Sequence, residues 1–274
     1  MADVTWYGTD TTNPTNVGTG ANWSTSSVPT TGDHVRLVAG YTGSISESLS
    51  SLASVALGDF VVEHGFTGSI GKLGTPLDIQ ASRFEFHGGG TSYINLQSSS
   101  IDAIVHGTNQ NAAIGRRGLY LTGTTLQTVS VTGGDVGIAS QHGDTSSVST
   151  LRVHSGLVYV GNGCTLTTVD VYGGRVELQA NVTNLNVYGG TVVLAENADA
   201  TTITVEGGAV DNIGSGAITT ATIKGGVLSM RGGIARTITT LNYYAGGNLE
   251  FDDDVVTITT PNFFGPIRLS SVQM

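Results

Sequence analysis

VSVTGGDVGI (129–138), LRVHSGLVYV (151–160), VDVYGGRVEL (169–178), LNVYGGTVVL (185–194), ITVEGGAVDN (203–212), ATIKGGVLSM (221–230) and NYYAGGNLEF (242–251) share one grammar. The second small residue of each phrase is Gly134, Gly156, Gly174, Gly190, Gly208, Gly226 or Gly247, so the phrases follow one another at nearly even steps. That is a repeat of about twenty residues. Three positions before this glycine stand Val131, Val153, Val171, Val187, Val205, Ile223 and Tyr244. Two positions after it stand Val136, Val158, Val176, Val192, Val210, Leu228 and Leu249. Both columns are apolar or aromatic, and apolar and polar residues alternate around them, the period of a strand with one buried face. The glycine pair supplies a bend that a residue without a Cβ makes most easily. Each repeat therefore reads strand, Gly bend, strand, turn.

A unit this short, with no helical segment, cannot bury its apolar face alone. Winding the chain so that like residues stack coil on coil satisfies it. The predicted fold is all-β: a single-stranded parallel β-helix, or β-solenoid, with coils of about 18–20 residues and right-handed by the chirality of parallel crossovers. At about 4.8 Å per coil, the seven phrases would build a rod on the order of 30 Å long.

Outside the phrases the chain divides into three stretches, read together as one elongated domain. Residues 1–45 hold both tryptophans, Trp6 and Trp23, with turn chemistry at Pro29 and Gly32-Asp33; they are expected to cap the open first coil. Residues 46–251 form the solenoid, irregular to about 121 and regular after it. In the irregular part, Phe84 and Phe86 stand beside Gly88-Gly89-Gly90 as the later valines stand beside their bends, and Asn109 to Arg117 is expected to leave the stack as a loop. Residues 252–274, with Pro261, Pro266, Phe263 and Phe264, read as a C-terminal cap or contact arm.

Composition narrows the function classes. The 274 residues carry a formal net charge of −10, and no basic run exceeds Arg116-Arg117, so nucleic acid is not an expected partner. No stretch of eighteen consecutive apolar residues and no basic-then-apolar leader is present, so neither a membrane span nor export is expected. A single cysteine, Cys164, cannot form an intrachain disulfide and reads as a small residue in a turn.

Three constellations could carry chemistry. Glu177 and Asp211 share the outward position three after the bend glycine, two coils and hence about 9.6 Å apart, at the edge of the roughly 6.5–9.5 Å that an inverting glycosidase pair uses. Val193 lies between them and no basic residue joins the column, so a solvated face is expected. The histidines His34, His64, His87, His106, His142 and His154 show no short-range pairing with one another or with Cys164, so no zinc signature is read. Asp252, Asp253 and Asp254 alternate across a strand and lack the glycine spacing of calcium-binding β-rolls. No catalytic, cofactor-binding or metal residues are assigned and no cofactor is expected. Glu206 with Lys224, and Arg152 with Asp170, should form ion-pair ladders, and Tyr172 with Tyr188 should stack. That tyrosine pair is where a carbohydrate would be sought first.

The phrases ANWSTSSVPTTGDHVRL (21–37), FTGSIG (66–71) and the repeated VxVxGGxVxL resemble the β-solenoid head proteins of tailed bacteriophages. The resemblance implies a non-enzymatic virion protein: a decoration or cement protein, made in the host cytoplasm and seated on the capsid exterior against the major capsid protein, as a homotrimer. Trp6 to Trp23, Asn109 to Arg117 and Phe263 to Met274 are its expected contact elements. A tail spike or fibre that binds or cleaves host polysaccharide, and a fragment of a bacterial surface adhesin, are the readings set against it.

Overall fold

A computed structural model describes residues 1–41, 43–108, 117–231, 234–251 and 255–265. The fold is all-β, with parallel strands wound into a β-solenoid of about ten turns in all. Among the described residues no helix is long and apolar enough to cross a membrane. The chain falls into two compact units, Met1–Val148 and Ser149–Met274.

In the first unit, Asp3–Trp6, His34–Leu37, Ala56–Val62, Leu77–Phe86, Ser92–Val105 and Leu119–Val131 pair in parallel, each with the next. Two inward columns result. One runs Val4, Val35, Phe60, Phe84, Ala103, Val129; the other runs Trp6, Leu37, Val62, Phe86, Val105, Val131. Every member of both is buried, and fully burying each Val, Leu or Phe stabilises by about 1.5–3 kcal/mol. The outward register partners Asp3, His34, Asp59, Arg83, Asp102 and Thr128 fall at unequal intervals along the chain. Most of these coils are longer than the later phrases imply, because loops leave the stack between paired strands.

The free edge of the first strand is covered at its C-terminal end. Ser24 N donates to the Thr5 carbonyl at 2.9 Å and Tyr7 N to the Asn22 carbonyl at 2.8 Å, so the chain returns antiparallel beside the end of this strand, from Thr5 to Tyr7, with Trp23 opposite Trp6. Buried Asn22 fixes that return by accepting from Asp10 N and donating to the carbonyls of Asn13 and Asn16. Covering the flank in this way removes a template for strand addition. The tryptophan rings meet edge to face with centroids 5.0 Å apart. Their indole N–H groups are satisfied by the carbonyls of Gly43 and Val17, as buried Trp requires.

In the second unit the phrases become strand pairs: Cys164–Val171 with Arg175–Leu178, Val182–Val187 with Thr191–Leu194, and Ala200–Val205 with Ala209–Asn212. Ile218–Met230 and Arg236–Phe251 run through the bend as single strands. Val171, Val187, Val205 and Ile223 stack in register, as do Val158, Val176, Val192, Val210, Leu228 and Leu249, and each of these is fully buried. The last member of the first column differs from the sequence expectation. Ile223 pairs with Tyr243, whereas Gly225 pairs with Gly246, so Tyr244 and Ala245 together oppose Lys224 alone. This bulge puts Tyr243 inward, at 1% exposure, and turns Tyr244 outward. One inserted residue reverses the facing of its neighbours because the side-chain period is two.

Val256–Phe264 pairs in parallel with Arg236–Phe251, so stacking continues past Phe251, where the sequence phrases stop. Arg236, 3% exposed, donates to the carbonyls of Ile213, Gly214 and Arg231, which gives its buried guanidinium acceptors.

Candidate functional site

Glu177, Val193 and Asp211 lie in one outward row, as the spacing requires. Val193 separates the two carboxylates, and Arg175 holds Glu177 through its own Nε at 2.9 Å, with Glu177 37% exposed. An inverting pair needs room for a sugar and a water between its carboxyls, and a valine rung fills that space.

A second row lies beside the bends, one residue beyond the inward column. In the first unit Glu63, His87, His106 and Thr132 each donate a backbone N–H to the carbonyl of Leu37, Val62, Phe86 and Val105, one coil below. In the second unit Tyr172, Tyr188 and Glu206 do the same to Val153, Val171 and Val187. Rungs one coil apart must touch, and the residue types show how. His154 stacks on Tyr172 with centroids 4.8 Å apart, and Tyr172 on Tyr188 at 4.9 Å. Lys224 Nζ reaches Glu206 Oε1 at 2.7 Å, and Tyr244 stacks on Phe264 at 4.6 Å. Arg152 and Asp170 meet only at 3.9 Å. Burial, followed by the nearby Asp170 and Tyr172, raises the Tyr188 phenol above its ordinary range; the hydrogen bond and charge of Glu206 raise the Lys224 ammonium.

Tyr172 and Tyr188 remain 45% and 42% exposed, yet what Tyr172 shows to solvent is its ring edge. Both of its faces are covered, by His154 and by Tyr188. Stacking of this kind, one ring per coil, helps to hold neighbouring coils together.

The histidines behave otherwise than short spacings suggested. His87 and His106 are stacked on successive coils with ring centroids 4.1 Å apart and planes 16° from parallel. Glu85, two positions before His87 on the same face of Leu77–Phe86, places Oε2 3.3 Å from His87 Nε2, and Arg83 pairs with its other oxygen. One ligand atom from each of Glu85, His87 and His106 falls within 4.8 Å of the other two. Partial desolvation, reinforced by the neighbouring His87, lowers the His106 pKa. The signal that finds this group is the coil length: the coil that leaves His87 returns beside it at His106.

The first unit also carries a shallow groove lined by Lys72, Gln141 and Asp144 and by the stacked rings of Tyr93 and Tyr120, whose centroids lie 4.7 Å apart. Within the expected contact element Trp6 to Trp23, the two tryptophan side chains themselves are buried, at 0% and 2% exposure. Arg117 pairs with Asp135 at 3.0 Å. Phe263 and Phe264 are 43% and 50% exposed. Residues 109–116, the three aspartates 252–254 and residues 266–274 lie outside the described residues. Cys164 is buried, and desolvation pushes its thiol up to about 12. Compared with models of known protein families, with curated proteins and with solved structures, the chain matches none.

Proposed function

We propose that this chain is a non-enzymatic structural protein of a phage particle, a decoration or cement protein that docks as a homotrimer on the capsid exterior against the major capsid protein. The observation that supports this reading best is the state of the last described strand. Val256–Phe264 pairs with Arg236–Phe251, yet none of its residues is buried, and Phe263 and Phe264 stand 43% and 50% exposed. Val187 and Val205, by contrast, each lie between two paired coils and are fully buried. A partly uncovered parallel strand with two aromatics offers backbone groups and apolar surface to another chain, the means by which strand addition and aromatic anchoring hold protein partners. Ladders of stacked rings and ion pairs supply the rigidity that a cementing role needs.

The experiment is to mix the purified full chain with phage shells that lack it and to follow co-sedimentation and shell stability. Binding that stabilises the shells, weakened by Phe263→Ser with Phe264→Ser, is the expected result. No binding removes the cement role, and sedimentation as a strict monomer removes the trimer. Release of oligosaccharides from host envelope polysaccharide would replace this reading with that of a tail spike.

A further inference from the structure

We propose that Glu85, His87 and His106 form a site for one divalent transition-metal ion of the zinc class, clipping two neighbouring coils of the first unit together. Two ligands on a tetrahedral zinc with bonds of about 2.0–2.2 Å stand roughly 3.4 Å apart. Glu85 Oε2 and His87 Nε2 already lie 3.3 Å apart, longer than the ~2.7–2.9 Å of a strong charge-assisted hydrogen bond and close to that ligand spacing. His106 reaches the same place from the next coil, and all three donor atoms lie within 4.8 Å of one another. The two stacked rings hold their in-plane lone pairs nearly parallel, so binding one ion requires the imidazoles to turn about their side-chain bonds toward a common point. Two imidazoles and a carboxylate suit zinc, copper and nickel rather than calcium or magnesium, which prefer oxygen alone.

The surroundings permit a cation. The opposing charge is Arg83, which pairs with Glu85. Its side chain is 56% exposed, and its register partner on the coil above is Asp102, another carboxylate to which it can turn. Glu63 occupies the rung below His87 and adds negative charge to the row. The site faces solvent, so water completes the coordination. This inference stands apart from the docking role.

The test uses the full chain, freed of metal with a chelator, titrated with Zn²⁺ at neutral pH by calorimetry. One ion per chain should bind, and Zn²⁺ should raise the melting temperature by mass action. His106→Gln and His87→Gln should each weaken binding by on the order of tenfold or more, while Arg83→Gln should tighten it by removing the competing cation. His154→Gln, which changes a histidine in the second unit, should bind as the parent does. Both cluster histidines point outward, so folded variants are expected, verified by circular dichroism; the more exposed His106 gives the decisive reading should His87→Gln misfold. No Zn²⁺ binding by the parent overturns the proposal, as does unchanged affinity in His106→Gln. With Co²⁺ as a second probe, a visible absorption band of tetrahedral intensity should appear in the parent and vanish in His106→Gln.

Discussion

A Cβ added to Gly190 would lie 2.5 Å from the carbonyl oxygen of Gly174, one coil below. The bend glycine is therefore required twice over: its φ of +74° is one that L side chains avoid, and the coil beneath leaves no space. Gly208 and Gly226 repeat the relationship at 2.4 and 2.3 Å. Gly190→Ala should cost about 1–3 kcal/mol for the backbone conformation alone, and more for the clash. Urea denaturation of the variant beside the parent measures it; a loss below about 0.5 kcal/mol would mean that the bends flex away from one another.

Val187 is fully buried between Val171 and Val205. Val187→Asp would place a carboxylate with no counter-ion inside the stack and should destabilise by several kcal/mol. Val187→Thr, which adds one hydroxyl at nearly constant volume, should cost about 1–3 kcal/mol. Thermal melts of the two variants should rank Asp well below Thr, and equal melting temperatures would contradict the inward register.

Asp33 carries a pH dependence whose direction is fixed. Its carboxylate accepts from Thr30 N and Oγ1, each at 2.9 Å, and from Ala2 N at 2.8 Å. The Thr30 backbone bond first, then that of Ala2, lowers its pKa below 3.8. A depressed folded pKa means a stabilisation present above the unfolded value and lost as pH falls through the folded one. Asp33→Asn should therefore be less stable than the parent by about 1–3 kcal/mol near neutrality, and the gap should close as pH falls well below the usual carboxylate range. Denaturant melts at several pH values check this; a gap that widens in acid would be incompatible with it.

Cys164, with its thiol pushed up to about 12 by burial, holds almost no thiolate at mildly alkaline pH. Alkylation by iodoacetamide should be slow in the folded protein and rapid in denaturant, so its rate reports opening of the coil. Rapid labelling under native conditions, in a protein shown by circular dichroism to be folded, would contradict the burial.

The repeat, the parallel stack and the inward valines of the second unit follow from the order of amino acids alone, because a period-2 pattern interrupted by Gly-Gly at near-constant spacing admits few other ways to bury its apolar face. The Glu206–Lys224 and Tyr172–Tyr188 rungs follow from it too, since equal offsets in successive phrases become neighbours once coils stack. Where that spacing slips depends on how the coils pack in three dimensions. The extra residue before Gly246 exchanged Tyr243 for Tyr244 in the core, and an insertion that reverses facing looks, in the sequence, like an ordinary Tyr-Tyr pair. In the first unit, coils of unequal length conceal the columns from Val4 to Val129 and from Trp6 to Val131, because loops of different sizes separate residues that stack. The juxtaposition of His87 with His106 was hidden for the same reason. A ligand pair on one strand is marked by a spacing of two, whereas a pair on adjacent coils is marked only by the length of the coil between them, which the fold sets.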